Sequence, residues 1–254
     1  MVRNSLIREM NFKANFILWM VVELLWFLVQ IAFIEVLYQY TDHIGDWSKW
    51  QVVVLIGTHQ ITAQIFQAFF YANIADLPEM VRTGRLDFAL LQPVDSQFIV
   101  STRRFGFDNL VNAVVGVGIV VFALAKLDFI PRPGQVALYV ATIMLGVAIH
   151  YSIMFSLATV SFWIVRAQGL IYGYYNLFNI ARYPREIFRG AFRFVFSWII
   201  PVMIVANVPA SVLLDLASHP WHPLLHILIV AVFVSLASRM FWHRALTRYS
   251  SASS

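Results

Sequence analysis

The chain contains no cysteine, so neither a disulfide framework nor a thiolate metal site is open to it, and nothing marks an oxidising compartment. It is also short of charge. Asp, Glu, Lys and Arg make up 12% of its 254 residues, against about 25% in soluble domains. Several signatures of chemistry are missing too. No G-x-x-x-x-G-K-[ST] occurs, which excludes nucleotide binding through a P-loop. There is no H-E-x-x-H and no G-x-S-x-G, and the carboxylates do not cluster as a catalytic pair. A chain with these gaps moves or holds something and does not react with it.

What is there is apolar bulk. Hydrophobic residues make up 60% of the chain, with 22 Phe and 8 Trp, and mean hydropathy is +0.73. That composition fits helices bathed in lipid, with Trp and Tyr at the interfaces. The first apolar run is long enough to span and lacks a small-residue cleavage site, so no cleavable leader is expected. The net charge of +5 sits in short loops, a topology signal and not a nucleic-acid footprint. The expectation is one integral membrane domain over residues 1–254, all-α and polytopic, with about six transmembrane helices.

Residues 1–13 interleave Arg3, Arg8 and Lys13 with Leu6, Ile7, Met10 and Phe12, the pattern of an interfacial amphipathic helix. The first span is expected over Ala14–Tyr38, with Glu23 and Gln30 seven apart on one face. A carboxylate at membrane depth is costly, so Glu23 should face other helices or a cavity. The second span, expected over Gln51–Ala72, carries Gln60, Gln64 and Gln67 at spacings of four and three, again one face. Such a stripe is either interhelical hydrogen bonding or one wall of a polar pathway. His59 beside it has no second ligand at metal spacing. Further spans are expected near Phe105–Leu127, Val136–Val165 and within Leu224–Trp242. His150 and the small residues Gly146, Ser152, Ser156 and Ala158 of the fourth read as packing.

Between Arg166 and Asp215, two apolar pieces, 169–181 and 194–214, flank RYPREIFRGAFR, and only one of them can be a full fifth crossing. Setting Arg182, Arg185, Arg189 and Arg193 aside, eleven Lys and Arg fall in segments assigned to the cytoplasm and three in outer loops. That bias places both termini inside. Counting positive charge favours 194–214 as the span, whereas Pro201 weakens it as a straight helix. On the outside, the four Arg would suit lipid phosphates or an anionic substrate.

The stretch 77–94, LPEMVRTGRLDFALLQPV, interrupts the apolar runs. Pro78 and Pro93 punctuate it like a short helix, and Leu86, Leu90 and Leu91 suggest one apolar face opposite an Arg face. The order Glu79, Gly84, Leu86, Asp87, Leu90, Pro93, Val94 resembles the loop after the second span in permeases of ABC transporters, the type-2 exporter class. The pattern RYPREIF…IIPVMIVANVPA resembles the subgroup with two permeases and one ATPase.

This resemblance implies that 77–94 is a coupling helix, with Pro78, Glu79, Arg82, Gly84, Arg85, Leu86, Asp87, Leu90 and Pro93 meeting an ATPase. It implies a re-entrant outer segment at 184–214, ended by Asn207-Val208-Pro209. It further implies two copies of a P-loop ATPase that hold ATP and Mg, none being bound by this chain. A second, different permease and alternating access in the cell (inner) membrane follow too. Glu23, Gln30, Gln60, Gln64 and Gln67 would then line the pathway of an amphipathic substrate: a drug, a lipid-linked molecule or a peptide. Two rivals stand beside this: an autonomous channel or intramembrane enzyme without an ATPase, and a purely structural membrane subunit.

Overall fold

The computed structural model describes residues 13–164, 167–216 and 221–249, and among them there is no β-strand, only a bridge between Ile44 and Trp47. The expected interfacial helix over 1–13 lies outside the described residues, apart from Lys13. Helix α1 (Lys13–Tyr38) is followed by α2 (Lys49–Phe66), which runs through a π-helical turn, Gln67–Tyr71, into α3 (Ala72–Arg82). Short helices α4 (Leu86–Leu90) and α5 (Ser96–Thr102) precede α6 (Phe107–Lys126) and α7 (Pro133–Thr159). Helix α8 (Gln168–Phe178) continues as a 3-10 turn, Asn179–Arg182; α9 (Gly190–Phe194), a π turn, α10 (Val202–Leu213) and α11 (Trp221–Leu246) complete the chain.

The starts have local causes. Gln51 accepts a hydrogen bond from the Ser48 backbone N–H at 2.8 Å ahead of α2. Gln135 does the same for Arg132 at 2.7 Å ahead of α7, with Pro133 in the first turn. Each satisfies an amide that the helix itself leaves open.

Among the described residues, four helices are long and apolar enough to cross a membrane, or five if one bent pair is counted. They are Lys49–Arg82, Phe107–Lys126, Pro133–Phe162 and Trp221–Leu246. Helix α1, 26 residues long, spans roughly 39 Å at 1.5 Å per residue, more than the ~30 Å hydrocarbon core. This is an all-α polytopic membrane protein. The rod formed by α2 and α3 is its centre: 78% of its most apolar stretch is buried, against 22% for that of α11. It crosses α6 where two glycines meet. A Cβ on Gly57 would lie 2.7 Å from Val120 Cγ2, and one on Gly116 would lie 2.9 Å from Ile61 Cγ1. Small residues admit this close approach, which stands in for hydrophobic driving force in lipid.

At one end of the bundle, Trp47 donates through Nε1 to Glu186 Oε2 at 3.1 Å and accepts at its carbonyl from the Tyr38 hydroxyl at 2.8 Å. At the other, Trp242 donates to Ser96 Oγ at 3.0 Å, and Phe162 packs on Trp242 and Tyr249. Between Phe162 and Glu186 the chain therefore passes from the Ser96 end to the Trp47 end, carried by α8 and its 3-10 turn.

Two expectations need correction. Pro78 does not open a helix: it lies buried inside α3, and the second helix runs to Arg82, ten residues beyond the expected Ala72. Proline removes one ladder hydrogen bond, but its neighbours Leu77 and Met80 are fully buried and hold the turn in place. Likewise Asn207-Val208-Pro209 does not end its element but sits within α10, which continues to Leu213. The break falls at Ile200–Pro201, where Gly190–Ile199 and Val202–Leu213 meet at 85°. Asn207 stitches this piece to the preceding chain, accepting from Arg185 N–H at 2.9 Å and donating to the carbonyls of Ala181 and Tyr183 at 3.2 and 3.1 Å.

Candidate functional site

A cavity of about 550 Å³ opens between α1, α2 and the tract from Tyr175 to Tyr183. Gln60 and Gln64 of α2 and Gln67 of the π turn form one wall, their spacing placing all three on one side of the rod, and Gln30 and Trp26 face them from α1. Gln64 is 2% exposed, and its Oε1 has no hydrogen-bond partner. Gln64 lies roughly 22 Å along a rod of roughly 51 Å, so the cavity sits near mid-height. The third wall brings Tyr175, Asn176, Asn179 and Arg182. Arg182 donates through Nη2 to Asn179 Oδ1, while its Nε is buried without a partner.

Two histidines sit in an aromatic stack at the cavity, His59 in its lining and His150 behind it. His59 lies against the ring of Phe178 and within 3.3 Å of its carbonyl; His150 is fully buried, 3.8 Å from the same ring centre and 3.2 Å from the Tyr174 hydroxyl. Ring packing and the Tyr174 hydroxyl hold His150 in the bundle, while its Nε2 is buried without a hydrogen-bond partner among the described residues.

The second constellation lies at the Ser96 end. Asp76 of α3 faces three guanidinium groups, with Arg85 and Arg103 Nη2 at 3.1 Å and Arg104 Nη2 at 3.3 Å. The Asn73 side chain clamps the Arg104 backbone on both sides, donating to its carbonyl and accepting from its N–H, each at 2.8 Å. Glu79 and Arg82 form a forked pair at 2.7 and 2.8 Å. Helix α3 stops at Thr83, and Gly84 turns the chain with φ +71°, a conformation that costs any residue with a Cβ. Helix α4 then buries Leu86 and turns Phe88 outward, 73% exposed, with Leu91 just beyond it at 81%. Asp95 caps α5, accepting from Phe98 N–H at 2.9 Å, and is gripped by the Arg239 guanidinium of α11.

A family model for ABC-2 family transporter proteins matches residues 24–253. The chain belongs to this family. A search of the curated proteins finds no match. As an ABC-2 permease the chain is a membrane transport subunit, not itself the ATPase, and the family implies an ATPase partner.

Of the ABC-2 permease residues singled out from sequence, Gln30, Gln60, Gln64 and Gln67 come together in the cavity, and Arg182 joins them. The Glu23 side chain lies outside the described residues. Arg185 lines a second, smaller pocket with Arg193, while Arg189 is exposed, so the four Arg do not form one site. The expected shared face of Leu86, Leu90 and Leu91 is split: Leu86 is buried, Leu90 half-buried and Leu91 exposed. Five residues of helix are too few to keep one stripe. Asp76, Arg103, Arg104 and the Asp95–Arg239 grip were missed. Asp76 carried a signal, being a carboxylate just ahead of four arginines within 28 residues. Arg239 carried none, as it comes from the far end of the chain. The Tyr249 hydroxyl, pushed up to about 12 by burial and by Asp87 beside it, brings the residues just after α11 against α4.

The hydrogen bond from Arg239 holds the Asp95 carboxyl below the usual carboxylate range. A depressed folded pKa stabilises above the unfolded value near 3.8 and is lost as pH falls through the folded one. Asp95→Asn keeps the cap but loses the charge. It should cost about 0.5 kcal/mol, the modest value of a solvent-exposed pair, evenly from pH 8 to pH 5. The gap to wild type should close only below about pH 4. Thermal unfolding across that range checks this; a gap that closes near pH 6 would show a different titrating group.

Proposed function

We propose that this ABC-2 chain is the transmembrane subunit of an ATP-driven exporter that moves an amphipathic substrate out of the cytoplasm or inner leaflet by alternating access. The observation that carries the reading is the mid-height cavity, whose glutamine wall belongs to the same continuous helix as Asp76, Glu79 and Arg82. A push at one end of that helix is felt at the cavity wall. Phe88 and Leu91, exposed beside Arg82 and Arg85, form the face offered to the ATPase. Aromatic and arginine side chains of this kind anchor protein interfaces.

In this reading two copies of a P-loop ATPase hold ATP and Mg on the cytoplasmic side, where both termini also lie. A second, different permease completes the core in the cell (inner) membrane. The segment 184–214 is re-entrant from the outer side. Glu186 stands at the Trp47 end, and the first turns of α10 pack deep in the bundle against Gly146.

The test is purification of the tagged chain from its host in mild detergent, with mass spectrometry of what accompanies it. A P-loop ATPase together with a second polytopic protein is the expected result. The ATPase alone would make the core a homodimer, and recovery of the chain without any ATPase would overturn the reading. Glu79→Ala and Arg82→Ala should each lower substrate-stimulated ATP hydrolysis roughly threefold, on the scale of a lost surface pair, with insertion intact. Unchanged stimulation in both would remove them from the coupling face.

A further inference from the structure

Gln64 and Arg182 present complementary unmet needs in one cavity. The Gln64 side chain is 2% exposed, with a carbonyl oxygen that accepts nothing. Buried amide oxygens are normally satisfied, and leaving one open is costly. Arg182 lacks an acceptor for Nε, and among the described residues its one hydrogen bond goes to the neutral Asn179. No carboxylate pairs with it among the described residues; Glu186, four residues on, is held by Arg185 at 2.9 Å and by Trp47. A guanidinium partly withdrawn from water, with no carboxylate paired to it among the described residues, favours an anionic partner. The lining also includes Trp26, Ala63, Phe178 and Ile180, apolar surface suited to a chain or ring, with His59 and Tyr183 beside them. A volume of about 550 Å³ falls within the range that encloses a ligand of some hundreds of daltons.

We infer that the cavity binds the head of an anionic amphiphile, its phosphate or carboxylate at the Arg182 guanidinium and a hydroxyl or amine of the same head donating to Gln64 Oε1. The apolar part lies along Trp26 and Phe178. Arginine suits this role because it stays charged in a low-dielectric site and offers a planar fork to an oxyanion. Discrimination follows from the same geometry. A cationic amphiphile would set its charge against Arg182, and an uncharged one would leave it unpaired. The inference deepens the exporter reading and rests on it for the direction of transport, though not for binding.

The experiment uses the purified full chain with its co-purifying subunits in nanodiscs. Trp26 in the cavity wall reports binding as the part of the intrinsic fluorescence change that is lost in Trp26→Phe. The probes are dodecyl phosphate below its micelle-forming concentration, inorganic phosphate, and dodecyltrimethylammonium. Dodecyl phosphate should bind saturably, and Arg182→Gln should weaken it roughly tenfold or more, the scale of a lost charge-assisted hydrogen bond. Arg182→Lys should recover part of the loss, Gln64→Leu should weaken binding less, and Arg189→Gln, at an exposed site, should leave it unchanged. Inorganic phosphate binding as well as dodecyl phosphate would assign the site to a free anion; failure to compete would assign it to an amphiphile head. Equal binding of the cationic probe, or binding indifferent to Arg182→Gln and Gln64→Leu in folded protein, would overturn the inference. If an ATPase co-purifies but binding is blind to charge, this inference alone falls. If binding depends on Arg182 but no ATPase is found, the site stands and the exporter reading falls.

Discussion

Asp76→Ala should release the connection between α3 and α6 and cost about 2 kcal/mol, below the 3–5 expected of a fully buried pair because two of the three arginines are half in water. Removing the carboxylate leaves Arg85, Arg103 and Arg104 facing one another across a few ångströms. Arg103 is the sensitive member. Burial already lowers its affinity for the proton, and its Nε has no partner. In a chain of this length the loss corresponds to a melting shift of roughly 4–8 °C. The segment after Gly84, no longer hitched to the rod, should be cut faster by trypsin at Arg82 and Arg85. Asp76→Asn should behave nearly as badly, and Asp76→Glu should restore part of the stability. Wild-type digestion kinetics in Asp76→Ala would show that Asn73, through its two bonds to Arg104, holds the segment alone.

Gly146→Leu should have the other large effect. A Cβ at Gly146 would lie 2.8 Å from the carbonyl oxygen of Val205 and 3.1 Å from its Cγ1. The obstacle is backbone, so no rotamer change relieves it, and α10 must move off α7. Overpacking of this kind costs about 1–3 kcal/mol for a modest insertion, so Gly146→Ala should fall in that range and Gly146→Leu above it. Gly57→Ala is the useful contrast, because its nearest obstacle is the end of the Val120 side chain. The displacement also reaches the cavity. Asn207, two residues after Val205, fixes the carbonyls of Ala181 and Tyr183 on either side of Arg182. Thermal unfolding of the three variants checks the order; wild-type stability in Gly146→Ala would refute the close packing.

Periodicity and apolarity made the helices and the glutamine stripe legible, because both are local properties of consecutive residues. The stripe at Gln60, Gln64 and Gln67 could be placed on one face from spacing alone. Its role was open, since the third wall, from Tyr175 to Tyr183, comes from residues more than a hundred positions away. Pro78 misled for a physical reason: proline is welcome in a first helical turn and tolerated inside a helix only when tertiary packing compensates. Sequence does not display that packing. The family resemblance pointed to an ABC-2 permease, whereas the three-arginine grip on Asp76 and the pairing of Asp95 with Arg239 exist only once distant segments are folded together.

The uninterrupted helix from Lys49 to Arg82 has a mechanical consequence. Pinned where Gly57 meets Gly116, it is a lever with a fulcrum near one end. From Gly57 the far tip at Arg82 is about 38 Å away, Gln67 about 15 Å and Gln60 about 5 Å. A push of about 3 Å at the tip would therefore move Gln67 by roughly 1.2 Å and Gln60 by roughly 0.4 Å. The cavity would open as a wedge, widest toward the end that is pushed, with the Arg182 side of the chamber nearly still.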